Sequence, residues 1–582
     1  MSEPVGLDRN LTDYGDRDFA RYLRRSFARS MGYSGTMLER PVVGIATAPS
    51  DFNNCHRTTP ELVAAVKRGV IAAGGLPLEF PTISLGEVFL SPTSLVFRNL
   101  MSMDVEEMIR AQPMDAVVLI GGCDKTTPAQ LMGALSANVP AIYLTIGPMM
   151  TGRYHGERLG ACTDCRRFWG AYRRGEIDAR AIGAIEGNLA TTAGTCAVMG
   201  TASTMASLTE ALGLSLPGCA AIPAVHADRL RMAEASGTRA VALAREQLRP
   251  ADLVTAQSVE NALRVLMAIG GSTNAVIHLT AIAGRAGVAV DLARLNALAQ
   301  TTPTLVDLKP VGQGYMEDLA AAGGVGAVLR EIRDLLHLDC RTVAGETLAE
   351  RLAAHDPWVD RTVVRSRAEP CAPQGGLVAL FGSLAPNGAI LKQAAADPKL
   401  FEHEGRAVVF SGLDDLARRI DDPALDVEPD DVLVLQNAGP LGAGMPEAGY
   451  LPIPGRLARR GVKDMVRVSD ARMSGTAYGT VVLHVSPEAA LGGPLALVRS
   501  GDRIRLSVAR KRIDLLVSDE ALARRRAAWC APARPARGYA RLYAENVLQA
   551  EHGCDFGFKK KEGGAKKDDK EPEKSREEQK RE

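Results

Sequence analysis

The chain lacks the features that mark several large protein classes. Its 582 residues hold no uninterrupted apolar run near the roughly 18 to 20 residues of a membrane helix, so no membrane span is expected. The first twenty residues carry Glu3, Asp8, Arg9, Asp13, Asp16, Arg17 and Asp18 where a secretory signal needs an apolar stretch, and a cytoplasmic protein is expected. Excess charge is also missing. Lys plus Arg number 69 against 68 Asp plus Glu, a net +1, so no basic field exists to hold a nucleic-acid backbone by counterion release. Ten cysteines are too dilute for a disulfide scaffold; in a reducing compartment they are buried, catalytic or metal-bound. No Gly-x-Gly-x-x-Gly or Walker loop follows a candidate strand, and no Gly-x-Ser-x-Gly elbow presents a serine, so nucleotide cofactors and the hydrolase elbow have no support.

What is present is an ordinary globular composition, 46% hydrophobic and 24% charged, in a chain long enough for about two to four domains. From about 41 to 348, short β-branched runs alternate with Ala/Leu-rich helical stretches, the pattern of a βαβ-built parallel sheet. Val42-Val43-Gly44-Ile45 and Ala116-Val117-Val118-Leu119-Ile120 read as strands, and Thr59-Pro60 opens a helix between them. Pro370, Pro373 and Gly375-Gly376 interrupt the pattern. Beyond them Val408-Val409-Phe410, Val432-Leu433-Val434-Leu435, Val466-Arg467-Val468, Val481-Val482-Leu483 and Ile504-Arg505-Leu506 are short strands between Gly, Pro and Asp turns. The expected organisation is a lead segment 1–40, an α/β domain 41–368 on a parallel sheet, a β-rich, barrel-like domain 369–556 with peripheral helices, and a disordered charged tail 557–582.

Three cysteines fall in loops: Cys55, Cys123 at the carboxyl end of a strand, where α/β sheets place ligands, and Cys196 in a stretch of small residues. Each reads as a metal-binding or reactive thiol or as a small loop hydrophobe. Cys162-x-x-Cys165 suggests a dithiol centre or half a zinc site, but no second pair stands at zinc-like spacing. Glu87, Asp124 and Glu447 lie in Gly-rich loops, compatible with a magnesium site that keeps positions open for substrate oxygens, and equally with turns and caps. Lys125 is a surface cation or a desolvated, reactive amine. Ser474, in Arg472-Met473-Ser474-Gly475-Thr476, presents a hydroxyl beside glycine or forms a Ser/Thr turn.

Together these segments resemble the dihydroxy-acid dehydratase and phosphogluconate dehydratase family. The likeness is carried by Asn54-Cys55-His56, Ser84-Leu85-Gly86-Glu87, Gly121-Gly122-Cys123-Asp124-Lys125-Thr126-Thr127-Pro128, Gly194-Thr195-Cys196, Gly270-Gly271-Ser272-Thr273-Asn274, Gly444-Met445-Pro446-Glu447 and Arg472-Met473-Ser474-Gly475-Thr476. The resemblance implies an iron–sulfur cluster on Cys55, Cys123 and Cys196, a [2Fe–2S] cluster with [4Fe–4S] as the alternative. It also implies Mg2+ on Glu87, Asp124, Glu447 and a carbamylated Lys125, Ser474 as the base and Thr476 as a substrate contact. The implied reaction is loss of water from a 2,3-dihydroxy acid, with a homodimer or homotetramer as the working unit. Ser84-Leu85-Gly86-Glu87, Cys162-Thr163-Asp164-Cys165-Arg166-Arg167-Phe168-Trp169 and Pro446-Glu447-Ala448-Gly449-Tyr450 are similar to the branch that acts on sugar acids such as pentonates. Two departures stand out: Thr47-Ala48-Pro49-Ser50 replaces the Thr-Trp-Ser of many sugar-acid members, and Asn54 replaces a common proline. The alternatives are the branched-chain biosynthetic dihydroxy-acid dehydratase, a dithiol oxidoreductase using Cys162 and Cys165, and a non-catalytic sugar-acid binder.

Overall fold

Residues 42–47 are all buried, which is why this strand shows no polar alternation: it has neighbours on both sides and cover on both faces. In the computed structural model, which describes residues 5–354 and 356–559, it is β1 (Val42–Thr47) of a four-stranded parallel sheet. The other members are β2 (Leu76–Pro81), β3 (Ala116–Gly121) and β4 (Ala141–Thr145), in the order β2-β1-β3-β4. Only the edge strand β2 carries prolines, Pro77 and Pro81, where a missing N–H costs no ladder bond. Helices Thr59–Ala72, Ser94–Ala111 and Thr126–Ala137 make the crossovers. A Cβ at Gly69 would sit 2.0 Å from Glu234 O, so the first of these helices touches helix Ala227–Glu246 backbone to backbone.

The strand–helix alternation expected to run to about 348 stops at β4. After a small hairpin, β5 (Gly152–Tyr154) and β6 (Glu157–Leu159), the chain up to residue 354 forms helices. Several, among them Thr201–Ala211 and Asn274–Arg285, are buried almost all round. Their dense apolar runs, including Val276-Ile277, carry no strand because the segments are long enough to close helical turns.

The second half is a mixed eight-stranded sheet: β7 (Val378–Leu380), β8 (Gly388–Leu391), β9 (Glu402–Phe410), β10 (Val432–Leu435), β11 (Arg467–Ser469), β12 (Val481–Ser486), β13 (Arg503–Ser507) and β14 (Arg512–Leu515). The order β14-β13-β9-β10-β11-β12-β8-β7 curls until its ends meet. Phe381 N donates to Lys511 O and Ile513 N donates to Phe381 O, both at 2.9 Å, so the edges are nearly closed. The fold class is therefore the expected one, a parallel-sheet α/β half followed by a barrel-like half with helices.

The C-terminal segment returns to the first half. Arg285 forms a two-pronged pair with Asp555 at 2.7 and 2.8 Å, and Arg98 donates to the carbonyls of Gly553 and Cys554 at 2.8 Å each, all inside the protein. The expected disordered tail starts too early. Gly557–Lys559 form a short 3-10 helix because Phe558 stacks on Phe556 and the Lys559 ammonium lies 2.8 Å from Glu106. The rest of that tail, 560–582, lies outside the described residues. No helix among the described residues is long and apolar enough to cross a membrane.

Candidate active site

Loops at the carboxyl ends of β1, β2 and β3 meet on one side of the parallel sheet. Their approach is tight at Gly86, where a Cβ would lie 1.9 Å from Phe52 O, so the loop carrying Glu87 lies directly on the loop carrying Cys55. Ser84 Oγ donates to Ala48 O at 2.7 Å and accepts from Asn53 Nδ2 at 3.0 Å, which locks the two loops together. From β3 the chain passes through Cys123, Asp124 and Lys125 into helix Thr126–Ala137, whose first turn closes with Thr126 N donating to Cys123 O at 3.1 Å.

His56 joins these loops. Its Nδ1 lies 2.7 Å from Ala48 O, and the Cys123 N–H donates to its Nε2 at 3.4 Å. Burial lowers its pKa to about 4, only partly offset by the Ala48 carbonyl, so at neutral pH the ring is uncharged and can donate at Nδ1 while accepting at Nε2. The neighbouring Cys123 thiol and burial push the Cys55 thiol far above its ordinary range.

The carboxylates come from both halves. Oxygens of Glu87, Asp124 and Glu447 all lie within 4.8 Å of one another. Such crowding is unfavourable for three anions unless cations share the space. Lys125, fully buried, puts Nζ 3.1 Å from Glu87 and 3.6 Å from Asp124. The Arg472 guanidinium spans Glu447 at 2.6 Å and Glu87 at 3.0 Å, and also donates to Thr93 Oγ1 at 3.0 Å. Ser94 adds a short hydrogen bond to Glu87. Burial alone would raise Glu87, yet Lys125 and Arg472 hold its carboxyl well below the usual range. Asp124 goes the other way: burial, with Glu87 and Glu447 beside it, outweighs Lys125 and raises it to about 7.

The barrel-side loop is held by its neighbours. Gly449 N donates to Arg472 O at 3.0 Å, which ties the Glu447 loop to the strand end that leads to Ser474. Ser474 Oγ and Thr476 Oγ1 are 2.8 Å apart, and both residues are buried. Thr163 Oγ1 donates to Thr476 O at 3.0 Å, and a Cβ at Gly475 would meet Thr201 N at 2.6 Å, so the turn sits against the first half with no slack. Behind it Lys392, fully buried, donates to Gly475 O at 3.4 Å.

Cys196 packs with Met149, Ala197, Val198 and Tyr315. Cys162 and Cys165 belong to the same pocket, and Cys162 Sγ lies 3.6 Å from Cys196 Sγ. The Cys-x-x-Cys pair is thus no separate centre. The Asp124 carboxylate helps raise the Cys55 and Cys196 thiols, and Cys123 precedes it in the chain, so thiols and carboxylates lie near one another. The residues picked from the sequence lie on these loops, and Arg472, His56, Thr93, Thr163 and Lys392 hydrogen-bond to them or among themselves. Arg472 and His56 adjoin picked residues in their motifs. Lys392 carries no local signal at all.

A donor set of three carboxylate-bearing residues fits a hard divalent cation, and the thiols of Cys55, Cys123 and Cys196 near Asp124 fit an iron–sulfur cluster. The sequence matches the family description "Dihydroxy-acid/6-phosphogluconate dehydratase N-terminal" over residues 40–351 and its C-terminal counterpart over 362–554. It is 48% identical to 6-deoxy-6-sulfo-D-gluconate dehydratase of Pseudomonas putida, over 89% of this chain and 90% of that protein. It is 47% identical to L-arabonate dehydratase of Azospirillum brasilense, over 94% and 95%. Against the dihydroxy-acid dehydratase of Moorella thermoacetica the identity is 39%, over 92% and 98%.

Proposed function

The chain belongs to the dihydroxy-acid/6-phosphogluconate dehydratase family and is a hydro-lyase, and from that premise we propose that it removes water from a 2,3-dihydroxy sugar acid. The substrate is an aldonate such as a pentonate and the product a 2-keto-3-deoxy acid. The observation that carries this reading is the carboxylate cage built from both halves, with the hydrogen-bonded Ser474–Thr476 pair following Arg472, which binds two of its carboxylates.

Glu87, Asp124 and Glu447 would hold Mg2+, with Lys125 as its carbamate adding an oxygen donor, and Cys55, Cys123 and Cys196 would hold a [2Fe–2S] cluster, [4Fe–4S] being the alternative. When bound, these groups supply Lewis acidity toward the substrate's carboxylate and hydroxyls. The protein's own part is orientation and proton transfer. Ser474, as its alkoxide, takes the proton from C2 and becomes the neutral hydroxyl. Thr476, 2.8 Å away, donates to the Ser474 oxygen while it carries the charge, before the transfer, and also contacts the substrate. Arg472 fixes Glu87 and Glu447 in place across the domain junction. Loss of the 3-hydroxyl leaves an enol that tautomerises to the keto acid.

The higher identity to sugar-acid dehydratases, 48% and 47% against 39%, supports an aldonate over the branched dihydroxy acid. We place the enzyme in the cytoplasm as a homodimer or homotetramer, with a small sugar acid as its partner and neither nucleic acid nor membrane. The test is a panel of aldonates beside 2,3-dihydroxyisovalerate on anaerobically purified protein, read as 2-keto acid formed. Aldonate turnover is expected. Preference for the branched substrate overturns the sugar-acid reading.

A further inference from the structure

Cys162 and Cys165 have no part in the reaction above, yet they touch a residue that does. Cys162 Sγ is in van der Waals contact with Cys196 Sγ at 3.6 Å, and a disulfide asks for closure to about 2.05 Å, a matter of side-chain rotation and a small backbone shift. Cys162 caps helix Thr163–Arg174 and Cys165 stands in its first turn, three residues on, packed in the same cluster. All three sulfurs are half-buried in one apolar pocket. The order in space is Cys196, then Cys162, then Cys165, with Cys162 in reach of both others.

We propose that Cys162 and Cys165 are a protective dithiol that takes oxidation off Cys196. With hydrogen peroxide as oxidant, the Cys196 and Cys162 thiols lose their two hydrogens, an S–S bond forms between them, and the peroxide is reduced to two molecules of water. The Cys165 thiol then attacks Cys162. The Cys162–Cys196 bond breaks, a Cys162–Cys165 bond forms, and the proton of Cys165 passes to Cys196, which is again a thiol. The oxidising equivalents end on a pair that ligates nothing, and Cys196 is kept from the irreversible sulfinic and sulfonic acids. The importance of sparing Cys196 rests on its place in the proposed cluster; the sulfur chemistry does not.

The test treats full-length protein with hydrogen peroxide, blocks free thiols, digests without reductant and maps disulfides by mass spectrometry. Cys162 and Cys165 share a tryptic peptide between Arg158 and Arg166, whereas Cys196 lies in another. Wild type is expected to show a Cys162–Cys165 bond with Cys196 free. Cys165→Ser traps the Cys162–Cys196 cross-link. Cys162→Ser shows neither bond and carries Cys196 to the sulfinic acid. The proposal is overturned if Cys165→Ser gives no cross-link while Cys196 is oxidised, or if wild type accumulates sulfinic Cys196 as fast as Cys162→Ser. Iron and acid-labile sulfide in untreated protein test the cluster separately. Their absence beside the expected disulfides removes the cluster and leaves the dithiol.

Discussion

Arg472 holds Glu87 across the junction of the two halves: its Nη2 lies 3.0 Å from Glu87 Oε1, although 385 positions separate the residues. The same guanidinium reaches Glu447 at 2.6 Å, so one buried cation fixes the spacing of two carboxylates that come from different folds.

Replacing Arg472 by Met therefore leaves Glu87 and Glu447 facing each other with Lys125 as the remaining close cation. Breaking a buried pair in this way costs about 3–5 kcal/mol. We expect a lower Tm for Arg472→Met, with part of the loss recovered on adding Mg2+, measured by thermal unfolding with and without the ion. An equal drop in both conditions removes the carboxylates from the metal site.

Ser474→Ala should lower kcat by about 100-fold or more, the usual contribution of a positioned base, with iron content and visible absorbance unchanged. Thr476→Val should lower kcat less, because it removes a partner of the Ser474 oxygen and leaves the oxygen in place. Substantial turnover in Ser474→Ala assigns the proton transfer to another group.

His56→Leu deprives the Ala48 carbonyl and the Cys123 amide of their partner. Each buried orphan costs about 1–3 kcal/mol, and the loops bearing Cys55 and Cys123 come apart. Iron per chain is expected to fall while far-ultraviolet circular dichroism stays the same. Full iron in this variant would falsify the bridging role.

Lys392 gives a pH-dependent prediction. Burial lowers its ammonium from 10.5 to about 7. Between those values the unfolded chain binds the proton more readily than the folded one, so this group destabilises the protein increasingly as pH falls from 10.5 toward 7. Lys392→Met removes the penalty. Its stability advantage over wild type should narrow by about 1.4 kcal/mol per pH unit on raising the pH through this window, a trend that paired thermal melts at several pH values detect. A constant difference means the amine is not desolvated.

The fold is legible where burial acts on both faces of a strand. β1, β3, β10 and β12 are continuous apolar runs in sequence because each has neighbours on both sides. β7 and β8 have only three and four residues, and β8 begins at a glycine; they become strands by pairing with each other and, through β8, with β12, which no local pattern announces. The helices after β4 hide for the opposite reason. Buried on nearly all sides, they show little of the polar periodicity that distinguishes a surface helix from a strand. At the site, motifs locate Cys55, Cys123, Cys196, Glu87, Asp124, Lys125, Glu447, Ser474 and Thr476, since these cluster with glycines in short loops. The pairing of Arg472 with Glu87, and of Cys162 with Cys196, depends on how distant loops dock.

The clasp of Arg98 and Arg285 onto residues 553–555 sets an order of assembly during synthesis. Both arginines are made early, within helices of the first half, where Arg98 meets Asn99 and His278 and Arg285 meets Ser136 and Ser102, but their remaining acceptors lie at residues 553–555. Until that segment is present, the two guanidinium groups are only partly paired. Ser94, at the start of the helix that carries Arg98, is the residue bonded to Glu87. Glu447 and Arg472 come from the second half, so the carboxylate cage is completed only when both halves are present, and a half-made chain offers no finished site to a metal ion.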